Sequence, residues 1–162
     1  MSMSLPTPTV WVPLPIGWIN VNMDGAVARW DRKARCGGVI RGHKGEWLLG
    51  FSQPLGLVDV DVAEEWAVLM GLCLAWDEGH KKVMVEFDSK LLVARLLDSR
   101  QDFNNSSVFI QIRLLLSSNW EVKLQHVCRS QNTLAYAMAK EGISFSYVSS
   151  VCPHFLKPSV FS

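Results

Sequence analysis

The segment Trp18-Ile-Asn-Val-Asn-Met-Asp24 alternates, with Ile19, Val21 and Met23 on one side and Asn20, Asn22 and Asp24 on the other. A period of two is the mark of a strand with one buried face. Two more strand-like segments follow at once, Cys36–Arg41 and Trp47–Phe51, after a charged turn over 29–35 and a glycine-bounded turn over 42–45. Connections this short join antiparallel neighbours. The pattern then changes. Asp61 suits the N-cap of a helix over 62–78, which Gly79 ends. Lys82–Phe87 reads as a fourth strand, 89–97 and 108–116 as helices, Trp120–Gln125 as a fifth strand and 132–140 as a last helix. A strand reached through a helix is most simply parallel to its neighbour, with a right-handed crossover. The expected fold is α/β: a mixed five-stranded sheet, three antiparallel strands then two parallel, with helices on both faces.

A chain of 162 residues suits one domain, and 49% hydrophobic residues with seven tryptophans can fill its core. The formal net charge of +1 means that any nucleic-acid contact must use a local patch. Cys36, Cys73, Cys128 and Cys152 form no C-x-x-C pair and no zinc-ligand spacing, which fits reduced, mostly buried thiols in an intracellular protein. No apolar run reaches the ~18 residues of a membrane span. The N-terminus has no Lys or Arg before Arg29 and is broken by four prolines, unlike a secretory signal. Residues 1–16 read as a proline-rich linker, 17–142 as the folded domain and 143–162 as an irregular apolar tail. A monomer is expected, and nucleus, cytosol and organelles stay open as compartments.

Three carboxylates stand out by position. Asp24 ends the first strand, Asp88 ends the fourth, and Glu64 lies in the first turn of the helix between them, on one face with Val68, Gly71 and Ala75. If the two strands are parallel neighbours, both aspartates lie at their carboxyl ends, where open α/β sheets bind ligands. Each acid alone also has an ordinary explanation: a turn at Asp24-Gly25, the helix dipole for Glu64, and an N-cap at Asp88-Ser89. Together they crowd like charges, which calls for a counter-ion such as Mg²⁺.

Five motifs then occur in order: Val21-Asn-Met-Asp-Gly-Ala26, Ala34-Arg-Cys-Gly-Gly-Val-Ile-Arg41, Ala63-Glu-Glu-Trp-Ala67, Glu86-Phe-Asp-Ser89 and His126-Val-Cys-Arg-Ser-Gln-Asn132. On these the chain resembles the type 1 ribonuclease H-like domain over residues 17–142. More narrowly, it looks like the plant form found alone or at the end of retroelement reverse transcriptases. The resemblance implies hydrolysis of the RNA strand of an RNA–DNA hybrid by four carboxylates and two Mg²⁺ (or Mn²⁺) ions about 4 Å apart. It maps the first three acids onto Asp24, Glu64 and Asp88, choosing Glu64 over Glu65 by the Ala-Glu-x-Trp-Ala pattern, and the assisting histidine onto His126, with Asn132 following.

The fourth acid is replaced by Tyr136, after Ala135 on the last helix. A phenol with a reference pKa of about 10 is neutral at pH 7 and a poor Mg²⁺ ligand. The implied enzyme is therefore weakened, and the ion held mainly by Asp24, Glu64 and Asp88 survives better than the other. Arg35 stands where the family usually has glycine and Gly42 where it usually has aspartate; Arg35 is expected to reshape the start of the second strand. The alternative is a catalytically inactive nucleic-acid-binding module or retroelement remnant. Arg29, Arg32, Lys33 and Arg35 cluster with Trp30 around the first turn, either to meet the phosphates of a hybrid or as a solvated hairpin. His43, His80 and His154 read as ordinary surface groups, and Trp66 and Trp76 as core.

Overall fold

The first segment forms β1 (Ile19–Val27), with Val21 and Met23 fully buried, but Asn20 and Asp24 on the polar side are buried too, because other elements cover both faces of this central strand. A computed structural model of the chain describes residues 13–98 and 106–132. β2 (Ala34–Arg41) and β3 (Trp47–Gly56) follow, and both pairings, β1 with β2 and β2 with β3, are antiparallel. The turn between β2 and β3 is closed by hydrogen bonds from Gly45 to Gly42 and from Gly42 to Glu46. Then come α1 (Val60–Asp77), β4 (Lys82–Phe87), α2 (Lys90–Leu97), α3 (Ser107–Leu116) and β5 (Glu121–His126). β4 runs parallel to β1 and β5 parallel to β4, so the sheet order is β3-β2-β1-β4-β5. This is the expected mixed sheet of three antiparallel and two parallel strands. The expected helix over 132–140 falls, after Asn132, outside the described residues, as does the tail over 143–162.

At three places the boundaries differ from the sequence reading because pairing or packing overrides a local signal, besides shifts of one or two residues elsewhere, as at the start of β2. β1 does not turn at Asp24-Gly25. Gly25 and Ala26 continue the ladder opposite Cys36 and Arg35, so Asp24 lies inside the strand. β3 runs on to Gly56, with a register irregularity opposite Ala34 and Arg35, the place where Arg35 was expected to reshape the strand. α1 starts at Val60, so Asp61 is not its cap but a residue of its first turn. The N-cap is Asp59, which makes no side-chain cap bond. At its other end Gly79 takes a φ of 83°, with hydrogen bonds from Gly79 to Trp76 and from His80 to Ala75. That pair of bonds is a Schellman close, which a glycine at this position makes easy.

α1 is buried throughout Ala67–Ala75 and lies against β1. Two glycines allow the close approach. A Cβ on Gly71 would meet the Met23 methyl and Val21, and one on Gly25 would strike the backbone of Ala63 and Glu64. The segment before β1 is tied at its described end by a hydrogen bond from Leu14 to His43, at 3.0 Å. Cys36 and Cys73 are buried and Cys128 is exposed; Cys152 lies outside the described residues. Trp66 and Trp76 pack against the core, with Trp76 edge-on to Trp120 at 5.1 Å.

Gly25→Ala forces the β1 backbone off α1 and is expected to cost about 1–3 kcal/mol, the usual penalty of overpacking. Gly71→Ala meets the flexible end of Met23 and costs less. Urea unfolding of the two variants tests the order: the midpoint should fall further for Gly25→Ala.

Candidate metal centre

β1 and β4 are paired through Ile19–Asn22 and Val83–Glu86, and the pairing stops at Asn22 opposite Glu86. Asp24 and Asp88 each follow that last pair by two residues, and α1 brings Glu64 beside them. A carboxylate oxygen from each of Asp24, Glu64 and Asp88 lies within 4.8 Å of the others. Glu64 is the fifth residue of α1, beyond the first turn, so its place is set by the contact of α1 with Gly25 and not by the helix dipole alone. Glu65 turns the other way and accepts hydrogen bonds from Arg95 at 3.3 Å and Ser106 at 2.7 Å.

Asp24 is 2% exposed, and among the described residues neither of its carboxylate oxygens has a hydrogen-bond donor. A buried unpaired carboxylate is costly, so the position either holds a proton or faces a cation. Burial, then the neighbouring Asp88, pushes the Asp24 carboxyl up to about 7, while Arg129 pulls it down. Burial likewise pushes Glu64 up to about 7, against a hydrogen bond from Ser89 that lowers it. Ser89 also caps α2, accepting from Leu92 at 3.2 Å. Three hard oxygen donors, the Asp24 carboxylate among them without a donor among the described residues, are a set that suits a divalent cation such as Mg²⁺.

The other residues singled out in the sequence are placed as follows. His126 ends β5 with Nε2 3.2 Å from the backbone oxygen of Asp88, beside the acids and not among them. Asn132 is 1% exposed and its amide donates to the Met23 oxygen at 2.9 Å, so here it ties the chain to β1 next to Asp24. Arg29, Trp30, Arg32 and Lys33 are exposed in the turn after β1, Trp30 at 86%. The turn begins after Val27, three residues or about 10 Å of strand beyond Asp24. Tyr136 lies outside the described residues. Two contributors had no role in the sequence reading. Ser89 was seen only as a cap, and Arg129, inside a quoted motif, donates from Nε to Asp88 at 3.1 Å.

The raised acids carry a pH dependence. In the unfolded chain Asp24 and Glu64 titrate near 3.8 and 4.5, and in the fold near 7. The folded protein therefore binds more protons than the unfolded one between those values, and stability falls as pH rises through that window. Without divalent ion, the protein is expected to melt at a lower temperature at pH 8 than at pH 5.5. Excess Mg²⁺ should shrink the difference, because it binds the ionised form. Scanning calorimetry in chelator and in Mg²⁺ checks both signs.

Among the described residues no helix is long and apolar enough to cross a membrane. A protein of Arabidopsis thaliana described as a candidate ribonuclease H is 35% identical over 137 residues, 84% of this chain and 22% of that protein. The chain thus spans about a fifth of the length of that relative. Ribonuclease H1 of the archaeon Halobacterium salinarum superposes with a TM-score of 0.70 at 26% identity, over 77% of this chain and 96% of that one. A ribonuclease H1 isolated from compost, solved in complex with an RNA/DNA hybrid, shares the fold with a TM-score of 0.67 at 23% identity, over 76% of this chain and 94% of that one. The reverse transcriptase-like family matches residues 22–142, from within β1 to beyond Asn132. With that match, the sheet order and the relatives in agreement, the chain belongs to the reverse transcriptase-like family and carries an RNase H-like domain.

Proposed function

We propose that this domain is a divalent-metal-dependent ribonuclease that cuts the RNA strand of RNA–DNA hybrids, weakened by Tyr136 at the place of a fourth acid. One observation carries the reading: Asp24, Glu64 and Asp88 converge within 4.8 Å just past the paired stretch of two parallel strands, with Asp24 buried and without a hydrogen-bond donor among the described residues. Asp24, Glu64 and Asp88 would hold Mg²⁺ or Mn²⁺. Such an ion, when bound, lowers the pKa of a water and stabilises charge on a phosphate. The chain's own part is to fix the three carboxylates. β1 and β4 hold the aspartates, α1 brings Glu64 over Gly25, and burial keeps water from competing for Asp24. His126, with Nε2 on the Asp88 carbonyl, has Nδ1 left to exchange a proton with solvent or product.

The exposed Arg29, Arg32 and Lys33 meet the phosphates of the hybrid beyond the scissile bond, and Trp30 packs on sugars or bases. Asn132, buried with its amide given to the Met23 oxygen, holds the chain beside Asp24 and does not itself touch the hybrid. Discrimination against duplex DNA rests on 2′-hydroxyls and A-like shape. The domain works as a monomer or as part of a longer reverse-transcriptase-derived protein, inside the cell. A second reading, a nucleic-acid-binding module without catalysis, is favoured by Tyr136 alone.

Purified protein with Mg²⁺ or Mn²⁺ is expected to shorten the RNA of a labelled hybrid and spare duplex DNA. Asp24→Asn should lower the rate more than about a hundredfold, since even partners of metal ligands are worth 10–100-fold. Native cleavage no faster than this control would overturn the hydrolase. Tyr136→Asp is expected to raise the rate by restoring an acid. If native and Tyr136→Asp proteins both bind hybrid, with a steep salt dependence, and neither cuts it, the binding-module reading holds instead.

A further inference from the structure

The chain after β5 meets the end of β4 and then β1, and hydrogen bonds mark its course. Val127 donates to the Phe87 oxygen at 3.0 Å, Arg129 donates from Nε to Asp88 at 3.1 Å, and Asn132 donates to the Met23 oxygen at 2.9 Å. Met23 is the first residue of β1 beyond the stretch paired with β4, and it directly precedes Asp24. Asn132 is therefore fixed at the peptide that leads into the buried aspartate.

A carbonyl oxygen only accepts, so the end of the Asn132 amide that faces Met23 is its NH₂. The other end, Oδ1, is left as an acceptor. It is closed to solvent and has no donor among the described residues, and the same holds for both Asp24 oxygens. Three donorless acceptors thus belong to two side chains fixed at the same peptide. Buried acceptors are normally satisfied, so these three call for a donor that belongs to the site.

Water bound to a divalent ion is such a donor. Mg²⁺ keeps several of its waters when carboxylates hold it. The oxygen of a bound water gives a lone pair to the ion, so the water faces its surroundings with protons. With Tyr136 in place of a fourth acid, fewer protein oxygens reach the ion and more of its shell is water.

We propose that Asn132 is a positioning residue for the divalent ion, its NH₂ anchored on the Met23 carbonyl and its Oδ1 accepting from a water on the ion held by Asp24, Glu64 and Asp88. The proposal rests on the metal-dependent reading above and gives the amide oxygen a role that a tether does not need.

The test uses the full chain with Mn²⁺ as the probe and no nucleic acid. Mn²⁺ affinity is measured by electron paramagnetic resonance in native protein, Asn132→Ala and Asn132→Asp. Electron–nuclear double resonance in deuterated water counts the waters on the ion. Melting curves in chelator check that each variant folds; both lose the NH₂ on Met23, so both should melt lower than native. They differ at the acceptor. Asn132→Ala has none and should bind Mn²⁺ about tenfold more weakly, as when a partner of a metal ligand is lost. Asn132→Asp keeps an acceptor and adds a negative charge, and should bind at least as tightly as native. The water count should be the same in native and Asn132→Ala. Weaker binding in both variants overturns the proposal, since Asn132 would then act only as a tether. Unchanged affinity in Asn132→Ala, beside a native protein that binds, overturns this proposal alone. One more water on the ion in Asn132→Ala also overturns it, because Oδ1 would then have bound the ion directly. A native protein that binds no Mn²⁺ overturns the metal-dependent reading and the proposal with it.

Discussion

The direction of β4 relative to β1 is the constraint on which the centre depends. Four residue pairs, Ile19 with Val83 through Asn22 with Glu86, lock the two strands parallel and in register. An antiparallel pairing would send Asp24 and Asp88 to opposite edges of the sheet. In the parallel one they emerge together, one strand beside the other, and repel. The apolar core carries that repulsion. Val21, Met23, Val83 and Val85 are fully buried in the same two strands, and each such side chain is worth roughly 1.5–3 kcal/mol. A one-residue slip of β4 would turn its buried Val83 and Val85 to the wrong face.

Neighbouring glutamates on α1 meet opposite fates. Glu65 is buried and satisfied, with Arg95 and Ser106 on its two oxygens. Arg95 and Arg113 both lie over the Phe109 ring, and Arg113 donates to the backbone of α2. That network joins α1, α2 and the start of α3 and leaves its carboxylate with no call for a cation. Glu64, one residue earlier and about 100° around the helix, lies with Asp24 and Asp88 instead. The same residue type is structural on one face and a candidate ligand on the next.

Much of the order of strands and helices was legible from period: two in the sequences of β1, β4 and β5, and a helical stripe in α3. Boundaries were less legible where long-range pairing decides them. β1 passes through a dipeptide that reads locally as a turn, because Cys36 and Arg35 stand opposite to continue the ladder. α1 begins before its best capping residue. In the centre, the aspartates could be found from strand ends. Glu64 could be told from Glu65 only by motif, since both sit near the helix start. Arg129 was hidden because its contact joins positions 41 residues apart and depends on how a turn after β5 folds back over Asp88. Tyr136 is the reverse case, read from sequence alone.

The hydrogen bond from Asn132 to the Met23 oxygen joins residues 109 positions apart. Closing so long a loop comes late, after local contacts have formed. During synthesis the ribosome releases Asp24, Glu64 and Asp88 well before Arg129 and Asn132. The nascent chain can therefore build its first three strands and α1 while the acid cluster still lacks its guanidinium and its tether. The three carboxylates are thus encoded by the first half of the fold, and the turn after β5 adds the Arg129 and Asn132 contacts beside them later.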